Sequence, residues 1–165
     1  MNKKGQIMDK IEKDLLKTIA DIEQVPMGAY NIRENGKGVA RNTTVNIDIV
    51  TKTDKSGIDI IVKPNTKNES VHIPVILTQG GFNDVVYNDF YIGENADVVI
   101  VAGCGIHNSS CETSQHDGIH TFHLGKGSKV KYIEKHYGEG SGTGDRILNP
   151  QTVVNLDEGS YMEME

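Results

Sequence analysis

Apolar residues along this chain change their spacing once. Met8, Ile11, Leu15, Ile19 and Ile22 recur at steps of three and four, with Lys10, Glu12, Lys13, Lys17 and Asp21 between them. That is the period of one helical face, so the pattern predicts an N-terminal helix within residues 1–26. Pro26 would stop it, Gly28 would loosen the backbone after it, and the helix would pack across one end of the domain. From Thr43 the period becomes two. Val45, Ile47 and Ile49 alternate with polar neighbours, and Ile58, Ile60 and Val62 repeat the pattern after a KTDKSG turn. Val71–Leu77, Val85–Ile92 and Val98–Val101 read as further strands. Pro74 predicts an edge position or a bulge in the first of these. No helical stretch is evident after residue 25.

A longer period overlies the short one. Ile92-Gly93-Glu94-Asn95-Ala96-Asp97-Val98-Val99-Ile100 resembles Leu124-Gly125-Lys126-Gly127-Ser128-Lys129-Val130-Lys131-Tyr132. Both resemble Leu156-Asp157-Glu158-Gly159-Ser160-Tyr161-Met162-Glu163-Met164. Leu124 stands 32 positions after Ile92, and Leu156 a further 32 after Leu124. A turn-plus-strand unit at equal spacing predicts a solenoid, because one unit cannot bury its own apolar face and must stack on its neighbours. Val98, Val130 and Met162 would share one column, and Ile100, Tyr132 and Met164 another. The expected fold is therefore all-β: a β-helix (β-solenoid) over residues 27–165 with a short α-helix before it. A meandering sandwich is the alternative that shows similar spacing. The last strand reaches Glu165 without a closing turn, so an open rung is expected, continued in a longer protein or paired end to end with a second copy.

Composition narrows the class. At 165 residues the chain suggests a single domain, and with 36% apolar residues and no Trp its core must be built from Val, Ile and Leu. The net charge of −6, without a basic run, argues against a nucleic-acid binder. No apolar stretch approaches the ~20 residues of a membrane span, and no apolar segment follows Lys3 and Lys4 as a secretory signal requires. Two cysteines do not make a disulfide scaffold, so a reducing, cytoplasmic setting is expected.

The chemistry is concentrated between Ile100 and Gly140. Both cysteines, Cys104 and Cys111, lie there, with five of the six histidines: His107, His116, His120, His123 and His136. Thiolate and imidazole suit iron, zinc and iron–sulfur clusters. Cys104 and Cys111, completed by His107, His116 or His120, form the candidate ligand set, with Glu112 or Asp117 orienting imidazoles. On a strand His116 and His120 would face one side and His123 the other, unless Gly118 broke the alternation. Against this stands the plainer reading of surface histidines and a buried apolar thiol at Cys104. A Cys–His nucleophile at Cys104 or Cys111 lacks an oxyanion-hole signature. The H-x3-H-x2-H run matches only part of a cupin metal strand. EGSGTG, Glu139–Gly144, lacks the Lys-Ser/Thr of a phosphate loop and reads as a mobile loop.

Three strings carry a family resemblance: VPMGAYNIRENG from Val25, GCGIHNSSCETSQHDGIHTF from Gly103 and KYIEKHYGEGSGTGDRILNP from Lys131. They resemble the SufB/SufD family of iron–sulfur cluster assembly proteins, above all its short SufBD-type members. The resemblance implies a right-handed β-helix core, side-by-side pairing with a second SufB/SufD-type subunit as a homo-oligomer, and docking of a SufC-type ABC ATPase. It also implies a β-helix that continues beyond Glu165, where the family's ATPase-docking helices and sulfur-transfer residues lie; the chain is then truncated at its C-terminal end. No catalytic residue is carried onto this chain, and the ligand set above rests on donor chemistry alone. The expected function is a scaffold for iron, sulfide or a nascent cluster rather than an enzyme. The rivals are a mononuclear metal-dependent enzyme, with zinc, on a β-helix or cupin-like frame, and a purely structural solenoid.

Overall fold

The computed structural model describes residues 9–20 and 28–165. Its elements are α1 (Lys10–Ala20), β1 (Ala29–Glu34), β2 (Lys37–Asn42), β3 (Ile47–Thr51), β4 (Gly57–Val62), β5 (Lys67–Leu77), β6 (Asn83–Ile92), β7 (Asp97–His107), β8 (Ser114–Leu124), β9 (Lys129–Glu139), β10 (Arg146–Leu148), β11 (Gln151–Leu156) and β12 (Tyr161–Met164). One sheet runs β12-β9-β7-β5-β1-β2. The other runs β10-β8-β6-β4-β3, with β11 also on β8. From β4 to β9 the chain passes from one sheet to the other at each corner; β10 and β11 both return to the second sheet and β12 to the first, and each strand pairs in parallel with its counterpart one coil earlier or later. This is a β-solenoid of about three turns. At its N-terminal end the β1–β2 and β3–β4 pairs run antiparallel. No described helix is long and apolar enough to cross a membrane.

The repeated turn is the corner of the coil. Asn95, Gly127 and Gly159 occupy one position of it at φ 56°, 66° and 69°, left-handed backbone that Asn and Gly tolerate best. Asn65 holds the same place at φ 64°, which reveals a fourth copy at Val62–Thr66 that its Pro64 and shorter spacing disguise. The corners are sewn together by Asn65 N–H to Glu94 O (2.9 Å), Asn95 N–H to Lys126 O (3.0 Å) and Gly127 N–H to Glu158 O (3.0 Å). In the lumen Val98, Val130 and Met162 align as expected, as do Ile100, Tyr132 and Met164. Phe90 and Phe122 stack at 4.2 Å between the sheets' aliphatic walls.

One strand boundary differs from expectation. β3 begins at Ile47, not near Thr43, because the Thr44 hydroxyl accepts the Asn46 and Ile47 N–H groups (3.2 and 3.0 Å) and turns the chain there. Of the two places expected for Pro74, an edge or a bulge, the structure gives the second: it lies inside a sheet, paired with Gly103. Its missing N–H falls where the β1–β5 ladder jumps from Tyr30↔His72 to Arg33↔Val75, beside a β-bulge at Ile32/Arg33.

α1 lies on the outer face of the first sheet, across β5, β7 and β9, rather than over an end of the coil. Asp9 and Glu12 form a reciprocal capping box: Glu12 N–H to Asp9 Oδ1 is 2.9 Å, and Asp9 N–H to Glu12 Oε2 is 2.7 Å. Leu15, Leu16, Ile19 and Ala20 are buried against Ile32, Ile76 and Val101. The buried face is turned from the expected one, since Ile11 is 36% exposed; Met8 and Ile22 lie outside the described residues. The approach is close enough to require glycine beneath it. A Cβ at Gly103 would meet the Ile19 carbonyl at 2.8 Å, and one at Gly105 would meet Leu15 Cδ2 at 3.0 Å. Near the cap, burial and then the Glu12 carboxylate beside it push Glu34 up to about 7.

Gly103→Val should therefore cost about 1–3 kcal/mol of overpacking, read in urea unfolding. Glu34 contributes stability below the ordinary carboxylate range and loses it as pH rises through about 7. Glu34→Gln keeps a donor toward Glu12 without the titration. It should gain on the native chain between pH 5 and pH 8 in thermal melts.

Candidate functional site in the solenoid lumen

β8 alternates without a break. Ser114, His116, Gly118, His120, Phe122 and Leu124 face the lumen. His116 and His120 thus share one side and His123 takes the other, as their spacing predicts. The rungs on either side add Asp84 and Asn88 from β6, in register with His116 and His120. Opposite them, Cys104 of β7 is in register with His136 of β9, where Tyr132 and Glu134 continue the column.

Two hydrogen-bonded sets occupy this lumen. In the first, Arg33 holds Asp84 through Nη2 to Oδ1 (2.8 Å) and Nε to Oδ2 (3.1 Å), and Asp84 Oδ2 lies 3.2 Å from His116 Nδ1. Burial works against the Asp84 charge, but the bonds from His116 and Arg33 outweigh it and hold the carboxyl down at about 2. In the second, His120 Nδ1 lies 2.7 Å from the Tyr132 hydroxyl and Nε2 lies 3.4 Å from Asn88 Nδ2. Asn88 Oδ1 accepts the Ile58 N–H at 3.2 Å, so its amide NH2 faces His120. His120 Nε2 is then an acceptor and Nδ1 carries the proton. Tyr132 accepts it and donates in turn to Glu134. His136 Nε2 reaches the same carboxylate at 3.3 Å. Glu134 is lowered: burial opposes its charge, while His136, His120 and Tyr132 support it. Burial pushes His120 down to about 4. The Cys104 thiol is pushed well above its ordinary range, first by burial and then by Asp84 and Glu134.

The other candidates lie elsewhere. His107 Nδ1 pairs with Glu139 at 3.1 Å. His123 is outside the coil, on Asp89 (3.1 Å) and stacked on Tyr91 at 4.8 Å. Cys111 is exposed in the loop between β7 and β8. The five expected ligands therefore do not converge. Strand alternation turns His107 away from Cys104, and the loop carries Cys111 off the lumen. Among the described residues no group of three or more His, Cys, Asp and Glu is arranged around a common ion. The glycine-rich segment after Glu139 is not a loose loop either. Gly142 and Gly144 N–H bond to Asn108 and Ser110 O (3.1 and 3.0 Å), and Arg146 donates to five main-chain carbonyls of the two stacked loops.

Arg33, Asp84, Asn88, Tyr132 and Glu134 were not legible as site residues from residue type. The 32-residue register was the available signal, since it places Asp84 under His116 and Asn88 under His120. A scan of protein-family models, a search of curated proteins and a search of solved structures each found no match to this chain.

His120 is neutral in the folded chain and charges in the unfolded one between pH 6.5 and about 4. Stability is intact above that window and falls as pH drops through it, by roughly 3 kcal/mol at one pKa unit per 1.36 kcal/mol. His120→Gln should flatten the decline between pH 7 and pH 4 by about this amount in chemical denaturation.

Proposed function

We propose that this chain is a scaffold component of iron–sulfur cluster assembly of the SufB/SufD kind, acting in the cytoplasm, with iron and sulfide as cargo. The observation that carries the reading is a β-solenoid with one buried thiol, Cys104, in register with His136 on the next coil. The family resemblance expects such a coil. Cys104 and His136, neighbours on adjacent strands, are the pair to receive cargo. A buried thiol stays protonated until a cation arrives beside it, which keeps Cys104 unreactive between loads. Glu134 and Asp84 supply the negative charge that draws a cation inward. A SufC-type ATPase and a second SufB/SufD-type subunit are the partners this reading names.

A mononuclear metal-dependent enzyme is the second reading, favoured by the His116–His120 pair. It takes the β-helix frame only, since parallel coils are not a cupin barrel. Anaerobic reconstitution with ferrous iron and sulfide separates the two. The scaffold reading expects visible charge-transfer absorption that Cys104→Ser and His136→Ala diminish and Cys111→Ser leaves in place. Tight zinc binding without such absorption in the native chain would overturn it.

A further inference from the structure

Gly118 stands between His116 and His120 on β8, and its backbone has no left-handed φ that would demand glycine. No helix or strand crowds it, unlike Gly103. A Cβ there would have three nearest neighbours, all imidazole atoms: His116 Nε2 at 3.2 Å, His120 Nε2 at 3.4 Å and His116 Cδ2 at 3.8 Å. Glycine at this position therefore lets two ring nitrogens close in on one point.

Both nitrogens lie within 3.4 Å of one point over Gly118, and both rings are held through Nδ1. His116 gives its Nδ1 proton to Asp84, which Arg33 fixes in turn. His120 gives its Nδ1 proton to Tyr132, which is backed by Glu134. An imidazole whose Nδ1–H is held by an oxygen is a pre-oriented Nε2 ligand. The His116 side chain is only 6% exposed. His120 Nε2 has only the long 3.4 Å contact to Asn88 to give up.

We infer that His116 Nε2 and His120 Nε2 form a site for one first-row divalent transition-metal ion, held over Gly118 in the solenoid lumen. Imidazole nitrogen suits Fe2+, Co2+ and Zn2+, and rejects Mg2+ and Ca2+, which want oxygen. Both rings must turn toward one ion above Gly118 to reach imidazole–metal bonds of about 2.0–2.1 Å. Two protein ligands leave the remaining positions to water or to cargo. The site stands apart from the assembly reading; under that reading the ion is ferrous iron.

Titration of the full chain with Co2+ alone, without sulfide, tests it. One Co2+ per chain should bind with visible d–d absorption, and Zn2+ should displace it. His116→Ala and His120→Ala should each weaken binding at least about tenfold, the scale on which even an outer-shell partner of a ligand counts. Gly118→Ala removes no ligand but fills the space between them, and should weaken binding as much. Where a variant fails to fold, histidine 15N spectra of the native chain decide: Zn2+ should move the Nε2 resonances of His116 and His120 and leave their Nδ1 protonated. Unchanged Co2+ affinity in folded Gly118→Ala, or Zn2+ shifts confined to His107, His123 or His136, would overturn the site. So would absorption that Cys111→Ser abolishes. Co2+ bound as expected with no cluster formed under sulfide would remove the assembly reading and leave this site standing.

Discussion

Parallel main-chain pairing at a fixed register is the constraint on which this molecule depends. From β6 onward each residue meets the one 32 positions on: Ile92 meets Leu124, which meets Leu156. Parallel partners face the same way, so lumen residues form columns and every polar residue must be answered within or across its column. The earlier coils are shorter, with Val62 on Ile92 and Val71 on Ile100. The offset drops at an irregularity between Lys67 and Glu69, where Asn68 turns left-handed at φ 57°, and reaches 32 only past the next corner, since Leu77 sits on Ile106 but Asn83 on Gln115.

The lumen is divided along its width by that rule. Near the repeated corners it is filled by Ile60, Phe90, Phe122, Ile100 and Val130, a dry core. Toward the opposite corners the β5 and β7 wall stays apolar with Val75, Leu77, Cys104 and Ile106, while the β6 and β8 wall carries Asp84, Asn88, His116 and His120. Burying ionisable groups there costs free energy unless they are paired or neutralised. The chain does both. Arg33 and Asp84 stay charged as a pair and hold His116. His120 instead remains neutral, with each nitrogen given a partner of the right sense. The same arrangement brings two ring nitrogens within 3.4 Å of one point over Gly118.

Glycine meets three separate demands. Gly127 and Gly159 supply left-handed backbone at the corners. Gly103, Gly105, Gly142 and Gly144 allow close approach, of α1 in the first pair and of a stacked loop in the second. Gly118 leaves room beside two imidazoles. The string GCGIH thus serves two faces at once: its glycines floor the helix outside, and its cysteine points inward.

The sequence alone determined the coil. Its 32-residue repeat, the polar turn that opens each copy and the alternation of β8 are local patterns, and local patterns survive without knowledge of what packs on them. They placed the columns of Val98 and Ile100 and put His116 and His120 on one face. Only the tertiary structure decided which donors meet. His107 and Cys111 are near Cys104 along the chain, yet alternation and a loop part them. Asp84, Asn88 and Tyr132 are distant in sequence, yet stacking brings them into the same lumen. The orientation of α1 and the duty of each glycine were decided there too, because both depend on atoms contributed from tens of residues away, and a residue's own type carries no record of its neighbour across the coil.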